Sequence, residues 1–312
     1  MRRFQLITLL LSLIFAMPVF ASSAHSANKP SLKFIATYLQ PGTMNPDSNV
    51  YAQETTTHLT ATHFGPEYFG KIRHTLQGKK AFIDLADHMF DHSNGRLYPN
   101  YKAVLNDLGK KYFDGHESKI LAFYIADEPS GFDITRQSLE LVIAELKARF
   151  KGIPTYIVWN RFCFDNAPEL DATCGLPGQR GIPKGLDWVG FDWYLNGTPD
   201  TDAHYFKVKV IDTVERLKRI SSLPIVLVPD GTDQFLQNYP EAQRDQIIAD
   251  RMKMHYDYAQ TESRIIGLDN YAWANHSENF QGDVRYVKGL REFPKAKNML
   301  YQWAHSLRIA AE

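Results

Sequence analysis

Along the chain, short runs of apolar, β-branched and aromatic residues closed by Pro, Gly, Asp or Asn alternate with longer stretches whose apolar residues recur every three or four positions. The short runs predict strands at residues 32–39 (LKFIATYL), 58–64 (HLTATHF), 80–86 (KAFIDLA), 120–126 (ILAFYIA), 153–160 (IPTYIVWN), 186–194 (LDWVGFDWY), 223–228 (LPIVLV) and 264–273 (RIIGLDNYAW). The longer stretches predict helices at residues 66–77, 98–113, 132–150, 203–220, 241–260 and about 283–309. Residues 44–57 are polar and weakly patterned, which allows a short helix or an irregular loop. The run at 120–126 is apolar on both faces, as a strand covered on both sides must be, and it stops abruptly at Asp127-Glu128-Pro129.

Eight strands alternating with helices predict parallel pairing with helical crossovers, and hence an α/β fold: a (β/α)8 TIM barrel forming a single domain over residues 28–312. An open doubly wound sheet is the alternative, but no GxGxxG follows any strand, so its commonest nucleotide signature is missing and no cofactor is expected. Residues 1–27 read as a signal peptide and short leader. Arg2 and Arg3 precede an apolar segment at residues 6–20, and Val19-Phe20-Ala21 gives a small-residue cleavage pattern, with Ala24 and Ala27 as later alternatives. This predicts a periplasmic or secreted protein cleaved near Ala21. No later segment approaches the ~20 apolar residues of a spanning helix, so no membrane association is expected after cleavage.

Composition narrows the partners. Lys+Arg and Asp+Glu are equal at 35 each, a balance that favours neither nucleic acid nor an anionic surface. Aromatic residues make up 13% of the chain, which suits stacking against an uncharged sugar. Cys163 and Cys174 flank a loop rich in Pro, Asp, Asn and Gly, and in an oxidising compartment they are expected to form a disulfide.

In a (β/α)8 barrel the carboxyl ends of the strands converge on one cavity. Here they carry Asp84, Asp87 and His88 on the third strand, Asp127 and Glu128 on the fourth, and Trp159 and Asn160 on the fifth. The sixth ends in Asp192-Trp193-Tyr194, the seventh in Asp230, and the eighth in Asp269, Tyr271 and Trp273. Glycoside hydrolysis needs a protonated carboxyl for the leaving oxygen, a second carboxylate to attack or to activate water, and flat apolar surfaces for sugar rings. This inventory supplies each. The cluster of Asp84, Asp87, His88, Asp91 and His92, with His63, offers a metal-dependent hydrolase as a further alternative, although no HExxH or HxH pattern fixes ligands and no metal is assigned.

The segment Asp127-Glu128-Pro129 resembles the Asn-Glu-Pro of the clan of retaining (β/α)8 glycoside hydrolases that includes the cellulase and mannanase families. Residues 186–194 are similar to that clan's sixth strand, and Trp273 to its eighth-strand sugar platform. The resemblance implies Glu128 as acid/base. It also exposes two departures: Asp127 stands where the clan has Asn, and the seventh strand ends in Asp230 instead of a nucleophilic Glu. The expected function is therefore cleavage of a neutral oligo- or polysaccharide by Glu128 and Asp230. Asp84, His88, Asp127, Trp159, Asn160, Asp192, Trp193, Tyr194, Asp269, Tyr271 and Trp273 are expected to bind the substrate. A catalytically inactive glycan-binding barrel is the alternative.

Overall fold

The computed structural model describes residues 32–38, 48–164, 181–280 and 283–311. The expected leader at residues 1–27 and Cys174 lie outside the described residues. Eight strands form one sheet: β1 (Phe34–Thr37), β2 (Ala61–Phe64), β3 (Lys80–Asp84), β4 (Ile120–Asp127), β5 (Thr155–Asn160), β6 (Trp188–Asp192), β7 (Ile225–Val228) and β8 (Ile265–Asn270). Each strand pairs in parallel with its sequence neighbours, β1 pairs with β8, and a parallel bridge from Tyr38 to His63 joins β1 to β2 and closes the barrel.

Because successive side chains on a strand point to opposite faces, the apolar strands build two cores. Phe34, Phe82, Tyr124, Tyr156, Val158, Val226 and Ile266 fill the lumen, whereas Ile35, Ile83, Phe123, Ile157, Phe191, Leu227 and Leu268 pack outward beneath the helices. The lumen is tight. A Cβ at Gly190 would stand 2.6 Å from the Tyr156 ring and hydroxyl, so glycine is what lets the tyrosine cross the barrel.

The outer layer consists of α1 (Ser48–His58), α2 (Pro66–Ile72), α3 (Tyr101–Leu108), α4 (Arg136–Arg149), α5 (Asp202–Phe206), α6 (Asp212–Ile220), α7 (Glu241–Thr261) and α8 (Pro294–Ala311). A π-helical turn at Lys207–Ile211 joins α5 to α6. Thr135 caps α4, its Oγ1 accepting from the Ser138 amide at 3.1 Å. The polar stretch near residue 50 thus resolves as α1. The expected helix over 283–309 is shorter, because Asp283–Val287 pairs antiparallel with His276–Phe280 in a ribbon beside the mouth and α8 starts only at Pro294. Arg285 and Val287 alternate with Val284 and Tyr286, a period of two that suits the ribbon.

One irregularity sets the geometry of the mouth. The β4–β5 register shifts between Tyr124 and Ala126, so one residue of β4 is left over. Ala122 and Tyr124 face the lumen, and Ile125 and Ala126 both join the outer core. Asp127 consequently points back inward, three residues after Tyr124, and accepts a 2.6 Å hydrogen bond from its hydroxyl.

Candidate active site

Glu128 follows directly, with φ at +38°, a backbone conformation that residues other than glycine rarely adopt. Three backbone bonds hold this turn: the Glu128 amide donates to Val158 O (3.0 Å), Gly131 N to Glu128 O (2.8 Å), and Ile134 N to Pro129 O (2.9 Å). The Glu128 carboxyl thus lies over β5, where Asn160 Nδ2 donates to its Oε1 at 2.8 Å. Bulge and turn together bring Asp127 and Glu128 to one site, although adjacent residues of a regular strand would face opposite ways.

Asp192, opposite Asn160 in the β5–β6 register, completes the group. It is 6% exposed and lies within hydrogen-bonding reach of Glu128. Burial, then the charges of Glu128 and Asp127, raise the Asp192 pKa well above the carboxylate range. Burial pushes Asp127 up to about 7, offset in part by the Tyr124 hydrogen bond and reinforced by Glu128 and Asp84. Asp84, at the end of β3, is raised by burial and eased by His63, and its Oδ1 accepts from the Ala86 amide at 2.9 Å.

His63 Nδ1 meets Asp269 Oδ2 at 2.8 Å over β1, the strand between β2 and β8, with both side chains fully buried. The imidazole stacks on Tyr38 (3.9 Å between ring centres, 28° between planes) and meets the edge of Tyr124 at 4.6 Å. Burial raises Asp269, and the facing His63 partly offsets it. His63 Nε2, Asp269 Oδ1, Asp192 Oδ1 and the Tyr156 hydroxyl are buried with no hydrogen-bond partner among the described residues.

Asp230 follows β7. Its Oδ1 accepts from the Thr232 amide at 2.9 Å and hydroxyl at 2.7 Å, so the side chain closes its own turn. It is also 6% exposed, and burial lifts its pKa to about 6 against those two hydrogen bonds. A parallel bridge joins Asp230 to Tyr271, and both lie near Tyr194. Tyr271 stacks on Tyr194 at 5.5 Å and 19°, and its hydroxyl donates to Glu278, which His276 Nε2 also holds at 2.9 Å. The ribbon after β8 therefore braces this aromatic pair.

The tryptophans expected to line the mouth do not. Trp159, one residue from both Val158 and Asn160, takes the opposite face of the strand and packs outward on Phe164. Trp193, between the inward Asp192 and Tyr194, lies under the Arg161 guanidinium at 4.5 Å. Trp273 is fully buried beneath the helices, its Nε1 donating to Glu54 Oε2 at 3.0 Å. The aromatic lining comes instead from Tyr38, Tyr124, Tyr156, Tyr194 and Tyr271. Strand parity could have excluded Trp159 and Trp193, whereas the buried run hid Tyr124 and Tyr156 among core residues.

The histidines and acids of the 84–92 segment disperse. His88 pairs with Glu67 at 3.5 Å, which raises the imidazole's pKa, so it is not held among the barrel carboxyls. His92 pairs with Asp87 at 3.0 Å, and Asp91 accepts from Ser93 and Asn94. Among the described residues no group of three or more such side chains is placed to hold a metal ion. Cys163 is buried after β5, 3.1 Å from the Ser130 hydroxyl, and its expected partner Cys174 lies outside the described residues.

No protein-family model matches the sequence, and no curated protein does. Solved structures do resemble the fold. β-Glucuronidase from Ruminococcus gnavus in complex with uronic deoxynojirimycin is similar at TM-score 0.60 and 13% identity, over 87% of this chain and 50% of that one. The complex of the same enzyme with D-glucaro-d-lactam gives TM-score 0.58 at 13% identity, over 87% and 49%. A further crystal structure of it gives 0.57 at 13%, again over 87% and 49%. The chain spans about half the length of these proteins, and at this identity the likeness establishes the (β/α)8 barrel fold.

Proposed function

We propose that the protein is an exported glycoside hydrolase that cleaves O-glycosidic bonds in a neutral oligo- or polysaccharide. Glu128 is the proton donor and Asp230 the second carboxylate. The observation that carries this reading is the placement of Glu128: a left-handed turn delivers it to the mouth, Asn160 fixes one oxygen, and Asp192 adjoins it. A general acid must hold a proton near neutral pH, and the raised proton affinity of the adjoining buried Asp192 favours keeping one on the pair. In this reading the one proton held by the pair passes from Glu128 to the leaving oxygen as the glycosidic bond breaks.

Asp192 is too close to Glu128 to be the opposing group, since two-carboxylate mechanisms separate the pair by ~5 Å or more. Asp230 approaches from β7, with Oδ1 fixed by Thr232 and its other oxygen directed by no hydrogen bond of comparable strength. The Tyr194–Tyr271 stack offers the apolar surface for a sugar face. A neutral glycan fits better than the uronic ligands of the solved glucuronidases. The charged groups acting most strongly on Asp127 and Asp192 are mainly the carboxyls of Glu128, Asp84 and Asp127, with no Lys or Arg among them to pair with a uronate. Export rests on the basic-apolar leader, and the Cys163–Cys174 disulfide on the same compartment.

The test is turnover of a panel of neutral polysaccharides by the wild type and by Glu128→Gln. Hydrolysis abolished in a variant of unchanged circular dichroism supports the assignment. Undiminished hydrolysis by the variant removes Glu128 from the chemistry, and binding without any turnover by the wild type replaces the enzyme with a glycan-binding barrel.

A further inference from the structure

At the pole opposite the mouth, the ends of α1 and α2, the approach to β3 and the last turns of α8 enclose a cavity of about 870 Å³. It is lined by Gln53, Thr56, Thr57, Lys71, Ile72, Thr75, Gln77, Lys79 and Arg308, three cations among neutral residues with no carboxylate. The cationic heads are held in place. Lys79 Nζ donates to the carbonyls of Thr56 and Thr57 (2.7 Å for the second), and Arg308 donates to His58 O at 3.2 Å. These carbonyls belong to the last turn of α1 and carry only partial charge, so they orient the cations without neutralising them.

Other groups report the same surplus. Burial and the Arg308 charge depress Lys79 to about 8. His58 is lowered by burial and then by Lys79 and Arg308. The nearest acid acting there, Glu54, is already engaged by Arg291 (3.0 Å) and Trp273. The Arg308 Nε, buried at the cavity wall, has no hydrogen-bond partner among the described residues.

We infer that this cavity is a binding site for a soluble small molecule bearing a multiply charged oxyanion such as a phosphate or diphosphate. Lys71, Lys79 and Arg308 would supply the charge, and Gln53, Thr75 and Gln77 neutral hydrogen-bonding groups. A pocket of this volume suits a ligand of metabolite size, larger than the oxyanion alone. Oriented Arg and Lys heads without a competing carboxylate are the recurring chemistry of phosphate recognition.

Isothermal titration of the full chain with pyrophosphate tests the assignment. One saturable site is expected, weakened at least about tenfold by Lys71→Met and by Arg308→Met. Lys71 is exposed and caps no helix, so its variant reports on the ligand even if replacing Arg308 loosens α1. Several results would overturn the site: no saturable heat, equal heat from sodium chloride at matched ionic strength, binding unchanged in both variants, or sedimentation with anionic phospholipid vesicles in place of pyrophosphate binding.

Discussion

At the carboxyl ends of the strands, Glu128, Asp127, Asp192 and Asp84 gather with His63 and Asp269, and Asp230 joins Asp127 in acting on Tyr194 and Tyr271. At the amino ends, Lys71, Lys79 and Arg308 line a cavity free of acids. Both poles leave charge partly unneutralised, and both pay in shifted proton affinities, but only the mouth stores backbone strain, at Glu128. The mouth is also built from residues of several strands that meet only when the barrel closes, whereas Lys79 and Arg308 at the opposite pole brace the end of a single helix. In the two proposals above, uncompensated charge makes both ends ligand sites, and the strained Glu128 turn beside Asp192 makes the mouth the place for chemistry.

Experiments can break this contrast, the largest effect first. Glu128→Gln keeps the Asn160 contact but has no proton to give, and kcat on a responsive glycan should fall by about 10² to 10⁴. Asp230→Asn tests whether that residue is more than a turn former, because an asparagine oxygen still accepts from Thr232. A loss of about 10² or more in kcat with unchanged melting temperature assigns it to the reaction, and full activity returns it to the turn. Trp273→Phe removes the indole donor to Glu54 from the outer core; the protein should lose about 1 kcal/mol in chemical denaturation while KM stays the same. A raised KM would restore Trp273 to the sugar site.

The two poles should also answer pH in opposite directions. Asp127 at about 7 and Asp230 at about 6 lie above their unfolded value of 3.8, so the folded state holds protons that the unfolded chain releases. Their stabilisation is complete below about pH 4 and is lost as pH rises through 6 and 7. Lys79, depressed from 10.5 to about 8, contributes stability that is present above 10.5 and lost as pH falls through 8. In thermal melts Asp127→Asn should flatten the slope between pH 4 and 7, and Lys79→Met should flatten only the alkaline limb. If Asp127→Asn leaves the acid slope intact, the mouth is less dehydrated than its burial indicates.

Much of the architecture was legible because apolar periodicity reports directly on which faces are covered. All eight barrel strands appear where short apolar runs stand, and even the weak run at 58–64 yields β2 with His63 inside. The 283–309 region was misread since a short alternating segment next to a long amphipathic one merges into it when only apolar spacing is considered. Among site residues, Asp127, Glu128, Asn160, Asp192, Asp230, Asp269, Tyr194 and Tyr271 do gather at the carboxyl ends. The tryptophans do not, because position at a strand end says nothing of which face a side chain takes.

The sequence by itself determined the repeating strand and helix order, the polar strand ends and the break at Pro129, all of which depend on neighbours a few residues apart. Tertiary structure alone decided the facing of each side chain. The extra residue between Tyr124 and Ala126 exists only relative to β5, and it turns Asp127 inward beside Glu128. Likewise the His63–Asp269 pair, 206 residues apart, exists only through the closure of β1 against β2 and β8. Pairing register and barrel closure are properties of two strands at once, and no single stretch of chain contains them.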